Sequence, residues 1–310
     1  MAKNKSYPIL VFFIAAVLSF SFFVSNALAV TVGTSGNRFT IDGREKFLVL
    51  VSYFDGLDAQ SVEADLNFIK SKGLDGVRIF PNWWDTNIQN GRETITGPSP
   101  TSLVDGNGNV RSDILNRLKS VIESANNHGM IVDVSFSRET VQNLSTTDYK
   151  DAMEAVIRDL LRYRNVFYDF QNEANCNNFS QSDSRDMRQR IKSINGRIIV
   201  STSLACEITG AETITYSTQT GLDIVNFHGR PEQARAAVNN SKPAYVGEPY
   251  HTNDLLNMSA NQIISMATSF KQAGGAMWTF HNRKGFDLAD RSFQSALNDQ
   301  MSTAINDIVP

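Results

Sequence analysis

Short apolar runs alternate with amphipathic segments along most of the chain. Eight of these runs are apolar at nearly every position, a pattern typical of strands that are buried on both faces of a parallel sheet. The predicted strands cover residues 47–52, 76–80, 130–136, 165–171, 197–201, 223–227, 243–246 and 275–279. Most neighbouring strands are far enough apart in the chain to leave room for a helix, which favours an α/β fold.

The segments between the predicted strands carry apolar residues at helical spacing. Val62, Leu66 and Ile69 show this spacing ahead of Gly73, a residue type that commonly ends helices. Helices are therefore predicted over residues 59–72, 112–128, 149–162 and 182–194. Residues 208–220 are a weaker helix candidate, because this segment is rich in threonine and threonine disfavours helices.

Eight strands that alternate with helices predict a single (β/α)8 TIM barrel. A doubly wound open sheet is the alternative, and it would show a glycine-rich phosphate loop after the first strand, which the sequence lacks. Ahead of the first strand, residues 31–44 alternate between apolar and polar and contain the turn dipeptide Asp42-Gly43. This pattern predicts a short N-terminal β-hairpin that closes the bottom of the barrel.

The N-terminus has the order of features that defines a secretory signal peptide. Lys3 and Lys5 precede an apolar run over residues 9–24, and a small-residue cleavage site ends at Ala29. The run is shorter than the ~20 residues that span a bilayer, although an uncleaved anchor is the alternative. We therefore predict a signal peptide over residues 1–29 and a secreted protein, extracellular or periplasmic, without membrane contact after cleavage.

Composition narrows the domain count and the class of partner. The mature chain of residues 30–310 has the size of one barrel domain, and no linker rich in proline, glycine or serine divides it. The formal charge of −3 becomes −5 once Lys3 and Lys5 leave with the signal peptide, and charges of both signs are interspersed. Because there is no basic block, nucleic acid is not expected as a partner. We expect a monomeric catalytic domain that requires no cofactor.

Cys176 and Cys206 are the two cysteines of the chain. In a secreted protein an isolated pair is typically bridged, and these two follow neighbouring predicted strands. A disulfide between them is therefore predicted to brace two loops above the carboxyl ends of the strands, a bond typically worth ~2 to 4 kcal/mol. Two free thiols are the alternative.

Polar and aromatic side chains gather where the predicted strands end. In a parallel barrel these ends meet on one face, so the residues there share a pocket. Glu173 follows Asn172 after the fourth strand, and Glu248 follows the seventh. The other residues at these ends are Phe54, Arg78, Trp83, Trp84, Ser135, Ser137, Glu139, Glu207, His228, Tyr250, Trp278 and His281.

Glu173 and Glu248 end strands that are three apart in the order, so they face each other across the predicted pocket. Retaining glycosidases use such a pair as acid/base and nucleophile, with the carboxyl groups ~5 to 5.5 Å apart. Arg78 is placed to keep Glu248 ionised, because a nearby positive charge favours the carboxylate. By itself Glu173 also fits an ordinary surface loop, and it is the second carboxylate that favours catalysis.

Aromatic residues near the same strand ends indicate a carbohydrate ligand. Sugar rings have apolar C–H faces that pack against flat aromatic surfaces. The aromatic group consists of Phe54, Trp83, Trp84, Tyr250 and Trp278, and it contains all three tryptophans of the chain. Each of these residues could instead pack in the core, but their convergence with the two carboxylates favours binding of a polysaccharide or oligosaccharide.

Together these motifs resemble the clan A retaining glycoside hydrolases, and most closely a family-5-like barrel of the cellulase or β-glycanase type. The resemblance spans the mature chain. Its motifs are residues 65–80, Asn172-Glu173, Phe227-His228, Val246-Gly247-Glu248 and Met277-Trp278. It implies an endo-acting β-glycanase that hydrolyses a β-glucan or β-mannan by double displacement.

The resemblance also implies a role for each matching residue. Glu173 would be the acid/base and Glu248 the nucleophile. Asn172 would bind the sugar 2-hydroxyl, His228 would orient the acid/base, and Trp278 would floor the subsite where cleavage occurs. The expected substrate-binding residues are Arg78, Trp83, Trp84, Asn172, His228, Tyr250 and Trp278.

Three positions depart from the pattern of that family. Ala174 follows Asn-Glu where proline is usual, and Arg230 stands where a tyrosine is common two residues past the strand-six histidine. No histidine lies near the end of the third strand, since His128 precedes that strand. Arg230 cannot replace a phenol, so Tyr53 or Tyr250 is expected to take that place beside the nucleophile.

Other functions fit parts of the sequence. A glycan-binding barrel that has lost catalysis would explain the departures. A metal-dependent hydrolase would need several histidines and carboxylates at metal spacing, but the chain has four histidines and no His-x-His pair. An exo-glycosidase or a transglycosylase would use the same barrel and carboxylates. The connection over residues 83–111 is longer than a simple connector and is predicted to help select the sugar.

Overall fold

The computed structural model describes residues 29–281, apart from residues 55, 83, 90–91, 99–101, 138–143, 206–207, 230–232, 234, 239–240 and 250–258. The predicted signal peptide lies outside the described residues except for its last residue. It therefore stays a prediction, together with the division of the chain after Ala29. Within the described part, no helix is both long enough and apolar enough to cross a lipid bilayer.

A small antiparallel sheet of three strands precedes the barrel. Its strands are β1 (Val32–Ser35), β2 (Arg38–Ile41) and β3 (Arg44–Lys46). The predicted Asp42-Gly43 turn joins β2 to β3, and its φ angles of 52° and 79° suit a tight hairpin. Phe39 is fully buried, and its ring centroid lies 5.8 Å from that of Phe167. The sheet thus packs against the bottom of the barrel and has one strand more than the predicted hairpin.

Eleven further strands follow in the described residues. They are β4 (Leu48–Ser52), β5 (Gly76–Ile79), β6 (Trp84–Gln89), β7 (Arg92–Pro98), β8 (Ile131–Ser135), β9 (Val166–Asp169), β10 (Val200–Ser201), β11 (Ser203–Leu204), β12 (Val225–Gly229), β13 (Ala244–Pro249) and β14 (Met277–Phe280). Nine of them form one parallel sheet in the order β10-β9-β8-β5-β4-β14-β13-β12-β11. The two ends of this order are halves of one strand interrupted at Thr202, so the sheet closes on itself. The fold is the predicted (β/α)8 barrel.

Helices connect the barrel strands. They are α1 (Val62–Ser71), α2 (Ser112–Asn127), α3 (Thr146–Asp159), α4 (Gln181–Ile194), α5 (Gly210–Thr220) and α6 (Ala260–Gln272), with a short 3-10 helix at Arg235–Val238. The threonine-rich segment with the weak helix signal forms α5. Thr209 and Glu212 make a reciprocal capping box at its start, and Gly221 ends it with a left-handed φ of 75°. These end contacts offset the low helix propensity of its threonines.

The barrel strands alternate between two environments. In β4, Leu48 and Leu50 belong to an apolar cluster at the bottom of the barrel, whereas Val49 and Val51 belong to the cluster that includes the helices. Higher in the barrel the inward positions are polar. The buried polar residues of these strands include Ser52, Arg78, Asp133, Ser135, Asp169, Ser201, Asn226 and Thr279. The predicted strands are therefore apolar on the outer face and at the bottom, but polar where the inner face approaches the carboxyl ends.

The long connection between β5 and α2 contains regular structure. β6 and β7 pair there as an antiparallel hairpin, and Val104 and Val110 form a further antiparallel bridge. The role of this connection in selecting the sugar stays a prediction.

Candidate active site

Glu173 and Glu248 lie close together at the carboxyl end of the barrel. Glu173 follows β9 in a turn, and Glu248 is part of β13. One carboxylate oxygen of each residue and a ring nitrogen of His228 all lie within 4.8 Å of one another. This separation fits the pair of carboxyl groups in a retaining glycosidase, which stand ~5 to 5.5 Å apart.

Backbone contacts fix the turn that carries Glu173. Its φ angle is 52°, in the left-handed region, and its N–H donates to Ser203 Oγ at 3.0 Å. The carbonyl oxygen of Asn172 accepts from the side-chain amides of Gln171 at 2.9 Å and Asn177 at 2.8 Å. The turn is therefore held at several points, while the Glu173 side chain remains 29% exposed.

Arg78 is fully buried on β5 and links several residues of the site. Its Nη1 donates to Glu248 Oε1 at 2.6 Å, its Nη2 to Asn172 Oδ1 at 2.7 Å, and its Nε to Ser135 Oγ at 2.8 Å. The planar guanidinium group can satisfy these acceptors together, whereas a lysine ammonium could not. Arg78 therefore holds the candidate nucleophile and the amide next to the candidate acid in one network.

Two further carboxylates lie beside Arg78 inside the barrel. Asp133 and Asp169 are fully buried, with oxygens 3.5 and 3.6 Å from its guanidinium nitrogens. Asp133 accepts from the Tyr245 hydroxyl at 2.8 Å. Asp169 accepts from the N–H of Ser203 at 2.9 Å, at the interruption between β10 and β11. Burial raises the pKa of Asp133 to about 6 and that of Asp169 to about 7, although Arg78 opposes the rise.

Asp133→Asn is expected to gain stability relative to the wild type as the pH rises from about 4 to 6. In the folded protein Asp133 keeps its proton up to pH about 6, whereas the unfolded chain releases it near 3.8, so this carboxyl lowers the free energy of unfolding across that interval. The total difference should be on the order of 3 kcal/mol, at ~1.4 kcal/mol per pKa unit. Urea denaturation of both proteins at several pH values measures it.

The free energy of unfolding of Asp133→Asn must be compared with that of the wild type at each pH, because His228 and His281 also change stability with pH. The pKa values of both histidines are lowered in the fold. These imidazoles are neutral in the fold but gain protons in the unfolded chain, so they make stability rise with pH over a similar interval. Both proteins share that contribution. A constant difference from pH 4 to 7 would contradict the raised pKa of Asp133.

The groups around Glu248 keep it ionised. Burial alone would raise the pKa of Glu248, but His228, His281 and Arg78 outweigh it, and the pKa of Glu248 is lowered. Burial lowers the pKa of His228 to about 3 and also lowers that of His281. At neutral pH both imidazoles are therefore neutral, and Arg78 is the positive charge that keeps Glu248 ionised.

His228, on β12, lies between the two catalytic candidates. Its Nδ1 is 3.4 Å from Glu173 Oε1 and 3.5 Å from Glu248 Oε1. Its Nε2 and the Oδ1 of Asn226 are both buried, and neither has a hydrogen-bond partner among the described residues. A Cβ atom at Gly247 would lie 2.8 Å from that Nε2 and 2.9 Å from that Oδ1. Gly247 is therefore required for the imidazole to occupy its place.

Several residues of the site were not given a role from the sequence. They are Ser52, Asp133, Asp169, Ser203, Asn226 and His281. Most lie at alternate positions of strands that are otherwise apolar. An ionisable residue such as Asp133 or Asp169 inside such a strand is the signal that could have identified them, because carboxylates are seldom fully buried without a specific partner.

Trp278 does not lie at the site, contrary to the expectation that it forms the floor of a sugar subsite. It is fully buried, and its ring centroid lies 6.5 Å from that of Phe270 on α6. Its neighbour Met277 belongs to the inner apolar cluster, and Thr279 contacts the Tyr245 hydroxyl at 2.8 Å. The alternation of side chains along β14 therefore directs Trp278 outward to the helix layer.

The structure describes only some of the other predicted aromatic residues. Phe54 is buried, with its ring centroid 5.1 Å from that of His281, so it contacts the site. Trp83 and Tyr250 lie outside the described residues, as does the side chain of Trp84, whose backbone begins β6. Their contacts with substrate stay predictions.

Tyr53 does not take the place of the missing phenol beside the nucleophile. It is fully buried, and its hydroxyl donates to Asp65 Oδ2 at 2.9 Å. Arg230, which stands where the family commonly has tyrosine, lies outside the described residues together with Tyr250. The expectation for Tyr53 is therefore wrong, and that for Tyr250 stays a prediction.

Cys176 lies in the same turn as Glu173, and the described part of the chain contains no free cysteine. Cys206 lies outside the described residues, as do Glu139 and Glu207. The disulfide between Cys176 and Cys206 stays a prediction.

Glu173, His228 and Glu248 also offer donor atoms that are close enough together to hold a metal ion. Arg78 already donates to Glu248 at 2.6 Å, and its positive charge opposes a second cation at that oxygen. The arrangement therefore suits proton transfer and nucleophilic attack better than metal coordination.

Comparison of the chain with protein-family models gives no match, and comparison with curated proteins gives none. Solved structures do match. An endo-1,4-beta-mannanase from Rhizomucor miehei is 16% identical with a TM-score of 0.57, over 89% of this chain and 97% of that chain. An endocellulase from Pyrococcus horikoshii in complex with cellotetraose is 11% identical with a TM-score of 0.59, over 91% of this chain and 99% of that chain.

A glycoside hydrolase family 5 enzyme from Prevotella bryantii is 13% identical with a TM-score of 0.57, over 84% of this chain and 96% of that chain. At such low identities the comparisons establish the fold. The chain folds as the barrel of family 5 glycoside hydrolases does, which confirms, at the level of architecture, the resemblance inferred from its motifs.

Proposed function

We propose that the protein is a secreted retaining β-glycoside hydrolase with Glu173 as acid/base and Glu248 as nucleophile. The observation that carries the proposal is the approach of their carboxylate oxygens to within 4.8 Å of each other. An inverting enzyme needs a separation of ~6.5 to 9.5 Å, because a water molecule must fit between its base and the anomeric carbon.

In the first step, a carboxylate oxygen of Glu248 attacks the anomeric carbon. A covalent glycosyl–enzyme bond forms as the glycosidic C–O bond breaks, and Glu173 gives its proton to the departing oxygen. Arg78, 2.6 Å from Glu248 Oε1, orients the attacking carboxylate. The lowered pKa of Glu248 supports this role, because a nucleophilic carboxylate must stay ionised.

In the second step, Glu173 takes a proton from a water molecule whose oxygen attacks the anomeric carbon. The bond to Glu248 breaks, and two displacements leave the configuration as it was. His228 lies within 3.5 Å of both carboxylates and is placed to orient them. Asn172 has its Oδ1 occupied by Arg78 at 2.7 Å, so its Nδ2 group is the one offered to a sugar hydroxyl.

The proposed substrate is a β-glucan or β-mannan, cut from within the chain. Among the similar structures are an endo-1,4-beta-mannanase and an endocellulase, both of which act on β-linked polymers. The barrel and the carboxylate pair support the class of reaction, and the polymers named for these proteins supply the panel to test. The predicted signal peptide would carry the enzyme to such polymers outside the cell.

The first test is hydrolysis by the wild-type protein without its signal peptide. Reducing ends released from β-1,4-glucan and β-1,4-mannan show whether the enzyme is active, and proton NMR of the first product shows the anomer that forms. We expect a β product from a β-linked polymer. Absence of hydrolysis on every β-glycan tested, or an α product, would contradict the proposal, and binding without turnover would indicate a glycan-binding barrel.

Glu173→Gln is expected to lose activity on polysaccharide but to form the glycosyl–enzyme readily from an activated glycoside. Loss of a general acid costs roughly 10²- to 10⁴-fold, whereas dinitrophenolate leaves without protonation. The measurement compares polymer hydrolysis with the first-turnover release of dinitrophenol from 2,4-dinitrophenyl β-cellobioside or β-mannobioside. Glu212→Gln, at the exposed start of α5, is the matched control. Equal losses on both substrates would exclude Glu173 as the acid.

A further inference from the structure

His281 lies just after β14, and its imidazole stands between a hydroxyl group and the candidate nucleophile. The side chain is 5% exposed, and its Nε2 lies 3.4 Å from Glu248 Oε2. Its Nδ1 lies 2.8 Å from Ser52 Oγ, on the first strand of the barrel. Residues from the first, seventh and eighth barrel strands thus meet in one line of polar groups.

The chemistry of these groups fixes the direction of the hydrogen bonds. An ionised carboxylate can only accept, so Nε2 of His281 must carry the hydrogen that faces Glu248. Because burial keeps the imidazole neutral, Nδ1 is then the acceptor and the Ser52 hydroxyl must donate to it. The Ser52 hydroxyl therefore donates to Nδ1 of His281, the N–H at Nε2 faces Glu248, and Ser52 selects the tautomer that faces the carboxylate.

Aromatic contacts hold the imidazole in its orientation. Its centroid lies 5.1 Å from that of Phe54 and 6.0 Å from that of Phe80, both in edge-to-face geometry. Phe54 and Phe80 in turn stack on each other at 5.1 Å. The ring of His281 is thus packed on its sides while each nitrogen faces a polar group.

Glu248 has a different nitrogen-bearing side chain beside each of its oxygens. Arg78 donates to Oε1 at 2.6 Å, and Nε2 of His281 is the group that approaches Oε2. The distance of 3.4 Å becomes an ordinary hydrogen bond after a shift of a few tenths of an ångström, and such contacts are often long in the absence of substrate.

On the basis of the proposed function, we propose that His281 is a positioning residue that donates from Nε2 to Glu248 Oε2, with Ser52 fixing its tautomer. Neither residue touches the anomeric carbon. Their effect is to hold the carboxylate plane between Arg78 and His281, so that the nucleophile approaches the sugar in one orientation.

His281→Phe and His281→Gln separate the donor from the packing. Phenylalanine keeps a flat ring against Phe54 and Phe80 but has no donor, whereas glutamine places an N–H near the position of Nε2. We expect His281→Phe to slow dinitrophenol release from the activated glycoside about tenfold to hundredfold, the range for a hydrogen bond to a charged group. The acid limb of kcat/KM should move to higher pH, because Glu248 loses a group that favours its ionised form. Glutamine should restore much of both.

Nitrogen-15 NMR of the full protein tests the hydrogen bonds without turnover. The chain has four histidines, so the spectrum of His281→Phe identifies the signal of His281 by its loss. At pH 7 we expect the neutral Nε2–H tautomer in the wild type and a mixture of tautomers in Ser52→Ala. A charged ring or the Nδ1–H tautomer in the wild type would overturn the proposal.

The two experiments also separate this proposal from the proposed function. If the wild type hydrolyses a β-glycan while His281→Phe keeps its rate and its acid limb, the proposal for His281 fails and the glycosidase assignment stands. If the wild type hydrolyses nothing, the proposed function fails, and the positioning role of His281 fails with it even where the tautomer is the one expected.

Discussion

Glu248→Gln is expected to lower kcat/KM on polysaccharide by roughly four orders of magnitude or more, since removal of a hydrolase nucleophile has cost about 10⁶-fold. The loss should apply equally to an activated aryl glycoside, because the covalent step itself is removed. This separates Glu248 from Glu173, whose loss should matter little when the leaving group needs no proton. Initial rates on both substrates measure the effect.

The control for this replacement is Glu45→Gln on β3, where the carboxylate contacts Ser35 at the surface. That variant should keep the wild-type rate. A 2-fluoro glycoside of the preferred sugar supplies independent evidence, because it traps the glycosyl–enzyme intermediate. Mass spectrometry should then find the sugar on the peptide that contains Glu248. A sugar attached to any other carboxylate would assign the nucleophile elsewhere.

Arg78→Met is expected to lower both activity and stability. The replacement leaves Glu248, Asp133 and Asp169 without their shared cation, and breaking a buried ion pair by removing one partner costs roughly 3 to 5 kcal/mol. Activity should fall because Glu248 loses its donor at Oε1 and its pKa rises. Urea denaturation at pH 7 and the acid limb of kcat/KM measure the two effects.

The destabilisation should be smaller at pH 5 than at pH 7. Asp133 and Asp169 have pKa values of about 6 and 7 in the wild type, so at pH 5 both are largely neutral and need the cation less. Arg117→Met is the matched control, since Arg117 pairs with Asp58 on the surface and its loss should cost little at either pH. Equal destabilisation by Arg78→Met at both pH values would show that lost packing, and not lost charge pairing, causes the destabilisation.

The repeat of buried strand and helix was sufficient to predict the barrel from the sequence. All eight barrel strands were found, because a strand with both faces covered has an apolar signature that other segments seldom share. The threonine-rich helix α5 was the uncertain element. Its capping box between Thr209 and Glu212 is visible in the sequence and outweighs the poor propensity of its interior.

The sequence predicted only those residues of the site that lie at the ends of barrel strands. The approach of Glu173 and Glu248, with Arg78 bound to the second, followed from their places at strand ends. The expectation for Trp278 was wrong, because tryptophan was judged by residue type and not by the alternation that turns Thr279 inward and Trp278 outward. Asp133 and Asp169 were overlooked for the opposite reason, since their strands were judged apolar as a whole.

The left-handed backbone at Glu173 bears on what this residue costs the stability of the fold. A side chain other than glycine or asparagine in that conformation costs on the order of 1 kcal/mol, so a protein that only bound glycans would gain stability by giving up the glutamate. The residue in this conformation is a carboxylate that lies close to a second one. Backbone strain of this kind is found most often at functional sites, and at Glu173 it supports the proposed acid/base role.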